Sequence, residues 1–136
     1  MKRTLMMFFL CLYSLLTYAP SSSTFFIADV APIVKNHYDP LVHAVWAWET
    51  RGSFDLMSYN VKEEATGPLQ IRPCRLEHYN RLTGKEYILN DMYNFEIARE
   101  VFLYFAKGKS FEQAAKDWNG SGPMTIDYWK GVTTYL

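Results

Sequence analysis

The sequence is poor in cysteine and has no excess of either charge. Only Cys11 and Cys74 occur in 136 residues, which excludes a disulfide framework and a metal site built from clustered cysteines and histidines. Lys and Arg number 14, as do Asp and Glu, so the protein lacks the bulk positive charge on which many nucleic-acid binders rely. Because 49% of the residues are hydrophobic and 21% are charged, the composition predicts one globular domain rather than a disordered segment.

A long apolar run is also missing, except for a short one at the N-terminus. Residues 5–18 form an uncharged stretch of 14 residues that follows Lys2 and Arg3. This order is typical of a secretory signal, and a membrane span needs about 20 residues. We therefore predict that residues 1–24 are a signal peptide, or alternatively an uncleaved membrane anchor, and that the protein is exported to the periplasm or cell envelope. Cleavage would leave Cys74 as the single thiol. We expect it to be buried and inert, with pairing between molecules as the alternative.

Apolar residues at helical spacing predict a mainly α domain over residues 25–136. No stretch alternates with a period of two for long enough to predict a strand, and residues 51–66 are predicted to be a polar loop. Residues 101–106 are all apolar or aromatic, which predicts a helix surrounded on most sides at the centre of the fold. The predicted helices run from the N-cap Asp39 to near Gly52, from Pro73 through Asn80 to a stop at Thr83-Gly84, from a cap at Asn90 or Asp91 to Lys107-Gly108, from the cap Ser110 to Asn119, and onward from Thr125.

One carboxylate stands out by its position in the first predicted helix. Leu41, Val45 and Trp48 recur at helical spacing as its apolar stripe. The step from Leu41 to Val45, repeated once, places Glu49 on the core-facing side of the last turn, directly after Trp48. Desolvation and the negative end of the helix dipole both disfavour a charged carboxylate there, so we expect a raised pKa. A carboxyl group that stays protonated near neutral pH can act as the general acid of glycoside cleavage. Alternatively, Glu49 reaches solvent or pairs with Arg51 or Arg72.

Four separated segments resemble the soluble lytic transglycosylase family of the lysozyme superfamily, in the same order. That family has a glutamate at a helix end, a Gly-x-x-Gln-x-x-Pro turn, a central helix, an aromatic-Asn-x-Gly loop and a C-terminal helix that begins near a tyrosine. The resemblance covers residues 41–136 and implies a single lysozyme-like, goose-type helical domain. Thr50 departs from the usual serine, and Pro68-Leu69 departs from the common Leu-Met. The segments are Ala47-Trp48-Glu49-Thr50, Gly67-Pro68-Leu69-Gln70-Ile71-Arg72-Pro73, Trp118-Asn119-Gly120-Ser121-Gly122 and Tyr128-Trp129-Lys130-Gly131-Val132.

The resemblance implies that Glu49 is the sole catalytic acid and base, with other matched positions binding substrate. Those positions are Ser58, Gln70, Asn119 and Tyr128. Each also has a structural interpretation. Ser58 would be a loop hydroxyl and Gln70 an amide that ties the turn, while Asn119 would be a helix C-cap and Tyr128 a core aromatic. Aromatic side chains offer stacking surfaces for sugars, and we expect two or three of six candidates to contact glycan, with Trp118 included in the predicted substrate site. The six are Trp46, Tyr59, Tyr79, Trp118, Tyr128 and Trp129.

The scarcity of carboxylates bears on the mechanism. Ordinary glycosidases use two carboxyl groups, but the candidates Asp55, Glu63 and Glu64 lie in the predicted polar loop, where a solvated charge is expected. With one carboxyl group, the N-acetyl oxygen of the substrate can assist departure of the leaving group, after which Glu49 removes a proton from the sugar's 6-hydroxyl. The resemblance implies this reaction at the β-1,4 bond between N-acetylmuramic acid and N-acetylglucosamine, leaving a 1,6-anhydro end.

Two other functions fit the same residues. One is a hydrolytic lysozyme that uses a positioned water, and the other is a non-catalytic module that binds peptidoglycan. The implied partners are peptidoglycan glycan strands, with envelope-spanning machinery as a further candidate, whereas nucleic acid is not expected and the membrane is involved only through an uncleaved N-terminal segment. The three histidines are too scattered for a metal site, so we predict no metal, no cofactor and a monomeric protein.

Overall fold

The computed structural model describes residues 36–136, and the predicted signal segment, residues 1–24, lies outside them. The described part of the protein is mainly α-helical, as predicted, with one short antiparallel hairpin. Within it, no helix combines the length and the apolar composition needed to cross a membrane. The elements are α1 (Asp39–Glu49), β1 (Tyr59–Asn60), β2 (Ala65–Thr66), α2 (Pro73–Thr83), a 3₁₀-helix (Leu89–Tyr93), α3 (Phe95–Ala106), α4 (Phe111–Asn119) and α5 (Met124–Thr133).

One predicted helix cap and one predicted helix start are wrong. Helix α1 begins at Asp39, but Asp39 is its first residue rather than its cap, and its carboxylate accepts hydrogen bonds of 2.9 and 2.6 Å from the Arg99 guanidinium of α3. The cap of α3 is Asn94, whose side chain accepts from two backbone N–H groups of the first turn. The predicted caps Asn90 and Asp91 lie in the 3₁₀-helix instead. The partner of Asp39 lies 60 positions away in the sequence, whereas Asn94 is a local cap that the sequence analysis did not identify.

Other predicted boundaries are confirmed. Ser110 caps α4 by accepting a hydrogen bond of 3.2 Å from the Gln113 N–H, and Gly84 ends α2 in the left-handed conformation, with φ of 71°. Helix α5 begins one residue before Thr125. The loop predicted for residues 51–66 is wrong in its second half, which forms the β1–β2 hairpin. Two-residue strands are too short to leave an alternating pattern in the sequence.

The core is centred on α1, α3 and the turn that precedes α2. The ring of Phe102, on α3, is fully buried and lies 4.7 Å from the Trp118 ring of α4. The prediction for residues 101–106 holds for the buried Val101 and Ala106, but Tyr104 is 42% exposed, because one face of α3 meets solvent. The largest fully buried side chains include Leu41, Val42, Val45, Leu69, Ile71, Met92 and Phe102.

The turn at residues 67–70 is held tightly against the 3₁₀-helix. Gly67 has a φ of 78°, and a Cβ added there would lie 2.0 Å from the backbone oxygen of Met92. The Ile71 N–H closes the turn by donating to the Thr66 carbonyl at 2.9 Å. Only glycine satisfies both the backbone conformation and the close approach. The turn thereby fixes Gln70 between the hairpin and α2.

Cys74 is exposed near the start of α2, which corrects the expectation of a buried, inert thiol. The buried residues of α2 are Leu76 and Tyr79, three positions apart on one face. Cys74 therefore falls on the face of the helix that meets solvent, because side chains on an α-helix repeat every 3.6 residues.

Candidate active site

Glu49 ends α1 and is hydrogen-bonded to a tyrosine of the last helix. The Tyr128 hydroxyl, on α5, donates to Glu49 Oε1 at 2.7 Å, although 79 positions separate the two residues. Tyr128 is buried and Glu49 is partly buried. The packing of α5 against α1 brings the two side chains together.

Glu49 lines three cavities. The most enclosed has a volume of about 230 Å³, and the two larger and more open ones have volumes of about 530 and 510 Å³. We call the space of these three cavities the groove, and Glu49 is the residue that all three share.

Burial raises the pKa of Glu49 from an ordinary value of 4.5 to about 7. The hydrogen bond from Tyr128 and the positive charge of Arg72 oppose this rise in the pKa, and the negative charge of Glu63 adds to it. Burial and the neighbouring Glu49 hold the pKa of Tyr128 well above its ordinary value. Near neutral pH the carboxyl group is thus present in both protonation states, while the phenol keeps its proton.

Arg72, one of the two arginines predicted as an alternative partner of Glu49, is paired with another carboxylate. Arg72 Nη2 lies 2.8 Å from Glu63 Oε2, and both side chains are about half exposed. Among residues 36–136, Glu49 takes part in no salt bridge, so the predicted alternative of a pair with Arg51 or Arg72 is wrong. Glu63 is exposed, as expected, and it also lines the same 230 Å³ cavity as Glu49.

Gln70 and Ser58 form one hydrogen-bonded unit at the edge of the groove. Gln70 Nε2 donates to the Gly67 carbonyl at 3.0 Å, to the Ser58 carbonyl at 3.3 Å and to Ser58 Oγ at 3.2 Å. The amide nitrogen therefore ties the turn to the strand that follows Ser58, as the structural interpretation of Gln70 expected. Both residues also border cavities next to Glu49, and Gln70 Oε1 accepts no hydrogen bond within residues 36–136.

Trp118 is mainly a packing residue, although it borders the 230 Å³ cavity. It is 6% exposed, and its indole N–H donates to the Leu69 carbonyl at 3.1 Å. The Arg75 guanidinium lies over the Trp118 ring, 4.4 Å from its centroid, and donates to the backbone oxygens of Asp117 and Trp118. Arg75 thus satisfies carbonyls at the end of α4 that the helix leaves without partners.

Asn119 is the last residue of α4 and lines the same cavity as Glu49 and Tyr128. Within the described residues its amide makes no hydrogen bond to protein, and the residue that caps α4 is Gly120, so the interpretation of Asn119 as a helix C-cap is wrong. Its position depends on Trp118 and Arg75, which hold the end of α4 in place. The amide remains available to a ligand in the groove.

Half of the six predicted aromatics border these cavities, namely Tyr59, Trp118 and Tyr128. Trp46, by contrast, packs on Phe95 with ring centroids 4.7 Å apart. The remaining two lie elsewhere: Tyr79 donates to Glu100 at 2.6 Å, and Trp129 packs against the core.

Three polar or aromatic residues that line the 230 Å³ cavity were not predicted to belong to the site: Trp48, Asn60 and Arg75. The helical spacing placed Trp48 on the apolar stripe of α1, but its side chain is 38% exposed and lines the cavity. Asn60 and Arg75 left no signal, since their positions depend on the hairpin and on the end of α4.

Comparison of the sequence with protein-family models, with curated proteins and with solved structures finds no match in any of the three. The resemblance to lytic transglycosylases therefore stays a prediction that depends on the four sequence segments and on the geometry around Glu49.

Proposed function

We propose that this protein is an exported peptidoglycan lytic transglycosylase with a lysozyme-like domain and that Glu49 is its general acid and base. The observation that carries the proposal is the environment of the Glu49 carboxyl group. Glu49 lines three cavities, its carboxyl group accepts a hydrogen bond from Tyr128 at 2.7 Å, and burial raises the pKa of that group to about 7. A carboxyl group with these properties can give and take a proton at neutral pH.

In the first step, protonated Glu49 donates its proton to the glycosidic oxygen. The bond between that oxygen and C1 of the N-acetylmuramic acid breaks as the N-acetyl carbonyl oxygen of the same sugar bonds to C1. Glu49 becomes a carboxylate, and the Tyr128 hydroxyl at 2.7 Å stabilises the new negative charge through a charge-assisted hydrogen bond. Tyr128 itself stays protonated, because its pKa is well above the ordinary value.

In the second step, the Glu49 carboxylate removes the proton from the 6-hydroxyl of the muramic acid. The 6-oxygen bonds to C1, and the N-acetyl oxygen is released. Glu49 is protonated again, the product ends in a 1,6-anhydro sugar, and no water is consumed. One carboxyl group thus serves both steps, and its pKa of about 7 suits both roles.

The position of Glu63 supports a second candidate, a hydrolytic lysozyme. Glu63 lines the 230 Å³ cavity with Glu49, and Arg72 holds its carboxylate at 2.8 Å. A carboxylate in this position could orient a water molecule toward C1, as the second carboxyl group of other glycosidases does. The transglycosylase is the better supported of the two, because the ion pair with Arg72 already engages the Glu63 carboxylate.

Mass spectrometry of digested peptidoglycan tests both candidates. The purified protein is incubated with peptidoglycan beside its Glu49→Gln and Glu63→Gln variants. We expect fragments with anhydro ends, lighter by one water than hydrolytic fragments. Their amount should fall by about 10²- to 10⁴-fold with Glu49→Gln and stay near the wild-type level with Glu63→Gln.

Other outcomes would redirect the proposal. Reducing ends that disappear with Glu63→Gln would identify a lysozyme. A wild-type protein that is folded, binds peptidoglycan and releases no fragments would identify a non-catalytic binding module. Glu49→Gln has nearly the same shape as the wild type, and the Tyr128 hydroxyl can still donate to its amide oxygen, so loss of activity would not reflect misfolding.

A further inference from the structure

Arg51 has an unusual backbone conformation directly beside the candidate acid. It follows Glu49 by two residues, and its φ is 53°, in the left-handed region that side chains with a Cβ disfavour. Two backbone hydrogen bonds hold it there. The Arg51 N–H donates to the Trp48 carbonyl at 3.2 Å, and the Gly52 N–H donates to the Ala47 carbonyl at 2.7 Å. Non-glycine residues kept in this region are concentrated at functional sites.

Arg51 borders the groove in two cavities. It lines the cavities of about 530 and 510 Å³ that adjoin Glu49, and its side chain is exposed. Within residues 36–136 it takes part in no salt bridge. Arg51 therefore borders two of the cavities that Glu49 lines, and no carboxylate of the described residues forms a salt bridge with it.

The groove is more positive than the protein as a whole, in which acidic and basic side chains are equal in number. Glu63 and Arg72 neutralise each other, and Arg75 is bonded to backbone oxygens. Arg51 and Lys62 are left without such partners among the described residues. The ionisable residues of Asp, Glu, Lys and Arg type that line the three cavities are Glu49, Arg51, Lys62, Glu63, Arg72 and Arg75.

We propose that Arg51 binds a carboxylate of the substrate and thereby makes the site select anionic glycans over neutral ones. This inference rests on the proposed function, in which the polymer carries carboxylates on its lactyl groups or on its stem peptides. A guanidinium forms paired hydrogen bonds with a carboxylate, and neutral chitin has no group that could use them. Arg51 is thus a specificity-determining residue, while Glu49 performs the chemistry.

Arg51→Gln tests the proposal, because it removes the charge and keeps a Cβ at the same backbone position. Arg51→Lys retains the charge, and Arg81→Gln removes an exposed arginine from the last turn of α2, away from the groove. Cleavage is measured on three substrates: peptidoglycan strands that carry peptides, strands from which an amidase has removed the peptides, and the neutral hexamer of N-acetylglucosamine. Binding of the same substrates is measured with each substitution in the Glu49→Gln background.

We expect Arg51→Gln to raise KM and Kd about tenfold for at least one of the anionic strands and less than twofold for the neutral hexamer. The kcat should stay near the wild-type value, Arg51→Lys should recover part of the affinity, and Arg81→Gln should change nothing. Added salt should weaken binding of the anionic strand by wild-type protein more than by Arg51→Gln. If Arg51→Gln weakens binding more for the strands without peptides, Arg51 binds the lactyl carboxylate. If it weakens binding more for the strands that carry peptides, Arg51 binds a carboxylate of the peptide.

Equal effects on anionic and neutral glycans, or no effect on either, would overturn the inference. Thermal unfolding of each variant shows whether it is folded. The two proposals fail separately: if no glycan is cleaved, the proposed function fails, whereas binding in the Glu49→Gln background still reports whether Arg51 discriminates by charge.

Discussion

The Gly131 Cα lies directly beneath the indole ring of Trp48. A Cβ added to Gly131 would come within 2.3 to 2.5 Å of three indole carbons, a separation that packed atoms do not reach. The Trp48 ring also meets the Tyr128 ring edge to face, with centroids 6.3 Å apart. The close packing of α5 on α1 at Gly131 therefore sets the position of Tyr128 relative to Glu49.

The first prediction concerns this contact. Gly131→Ala should destabilise the protein by about 1 to 3 kcal/mol, because the added methyl group must displace the indole or the helix. Chemical denaturation measures the change in the free energy of unfolding. Trp48→Ala removes the obstacle, so Gly131→Ala should cost much less in that background. If Gly131→Ala lowers the free energy of unfolding equally in the wild type and in Trp48→Ala, the contact between Gly131 and Trp48 does not limit the packing of α5.

The second prediction concerns the pH dependence of cleavage. The first step needs protonated Glu49, so kcat/KM should fall as the pH rises through about 7. Tyr128→Phe removes a hydrogen bond that lowers the pKa of Glu49, so this limb of the profile should move to higher pH. The rate should also fall about tenfold, since the hydrogen bond to the carboxylate is lost. If the pH profile of kcat/KM is the same in Tyr128→Phe as in the wild type, Tyr128 does not influence the pKa of the group that titrates.

The third prediction concerns the pH dependence of stability. The pKa of Glu49 is about 7 in the folded protein and has an ordinary value of 4.5, so folding favours the protonated form. Its contribution is fully present below about pH 4.5 and is lost as the pH rises through 7. Relative to the wild type, Glu49→Gln should therefore gain up to about 3 kcal/mol of stability between pH 4 and pH 8.

Urea denaturation of both proteins at the two pH values measures that difference. Comparing the change with pH removes the effect of the substitution on hydrogen bonding, which is the same at both values. Glu77→Gln, at an exposed position of α2, is the matched control and should leave the dependence on pH unchanged. If the wild type and Glu49→Gln depend on pH identically, the carboxyl group is solvated and its role as an acid loses its support.

The fourth prediction concerns the turn that places Gln70. Gly67→Ala should destabilise the protein by more than about 3 kcal/mol, because the new Cβ would lie 2.0 Å from a backbone oxygen of Met92. Gly84→Ala is the control: its φ of 71° is similar, but nothing lies within 4 Å of an added Cβ. It should cost about 1 kcal/mol from backbone strain alone. Similar free energies of unfolding for the two variants would contradict the close contact with Met92.

The helices were largely predictable because their signals are local. Ser110 and Gly84 lie within one turn of the helix ends that they stabilise, and the sequence shows such neighbours directly. The stripe of its own helix drew attention to Glu49, and the resemblance of four segments to one family made it the predicted acid. The prediction failed at Asp39, where the carboxylate binds Arg99, 60 positions away. A capping residue and an ion-pairing residue look alike until the partner helix is in place.

The sequence by itself determined the mainly α class and most helix boundaries, because these depend on spacings of a few residues. It also singled out Glu49, through its place in the helix together with the four segments that resemble lytic transglycosylases. Only the tertiary structure decided how Glu49 is surrounded. It brought Tyr128 to the carboxyl group across 79 positions, paired Arg72 with Glu63, and left Arg51 free of any salt bridge within residues 36–136. These outcomes depend on how helices pack and on which charged groups then meet, and burial, which raises the pKa of Glu49, exists only after that packing.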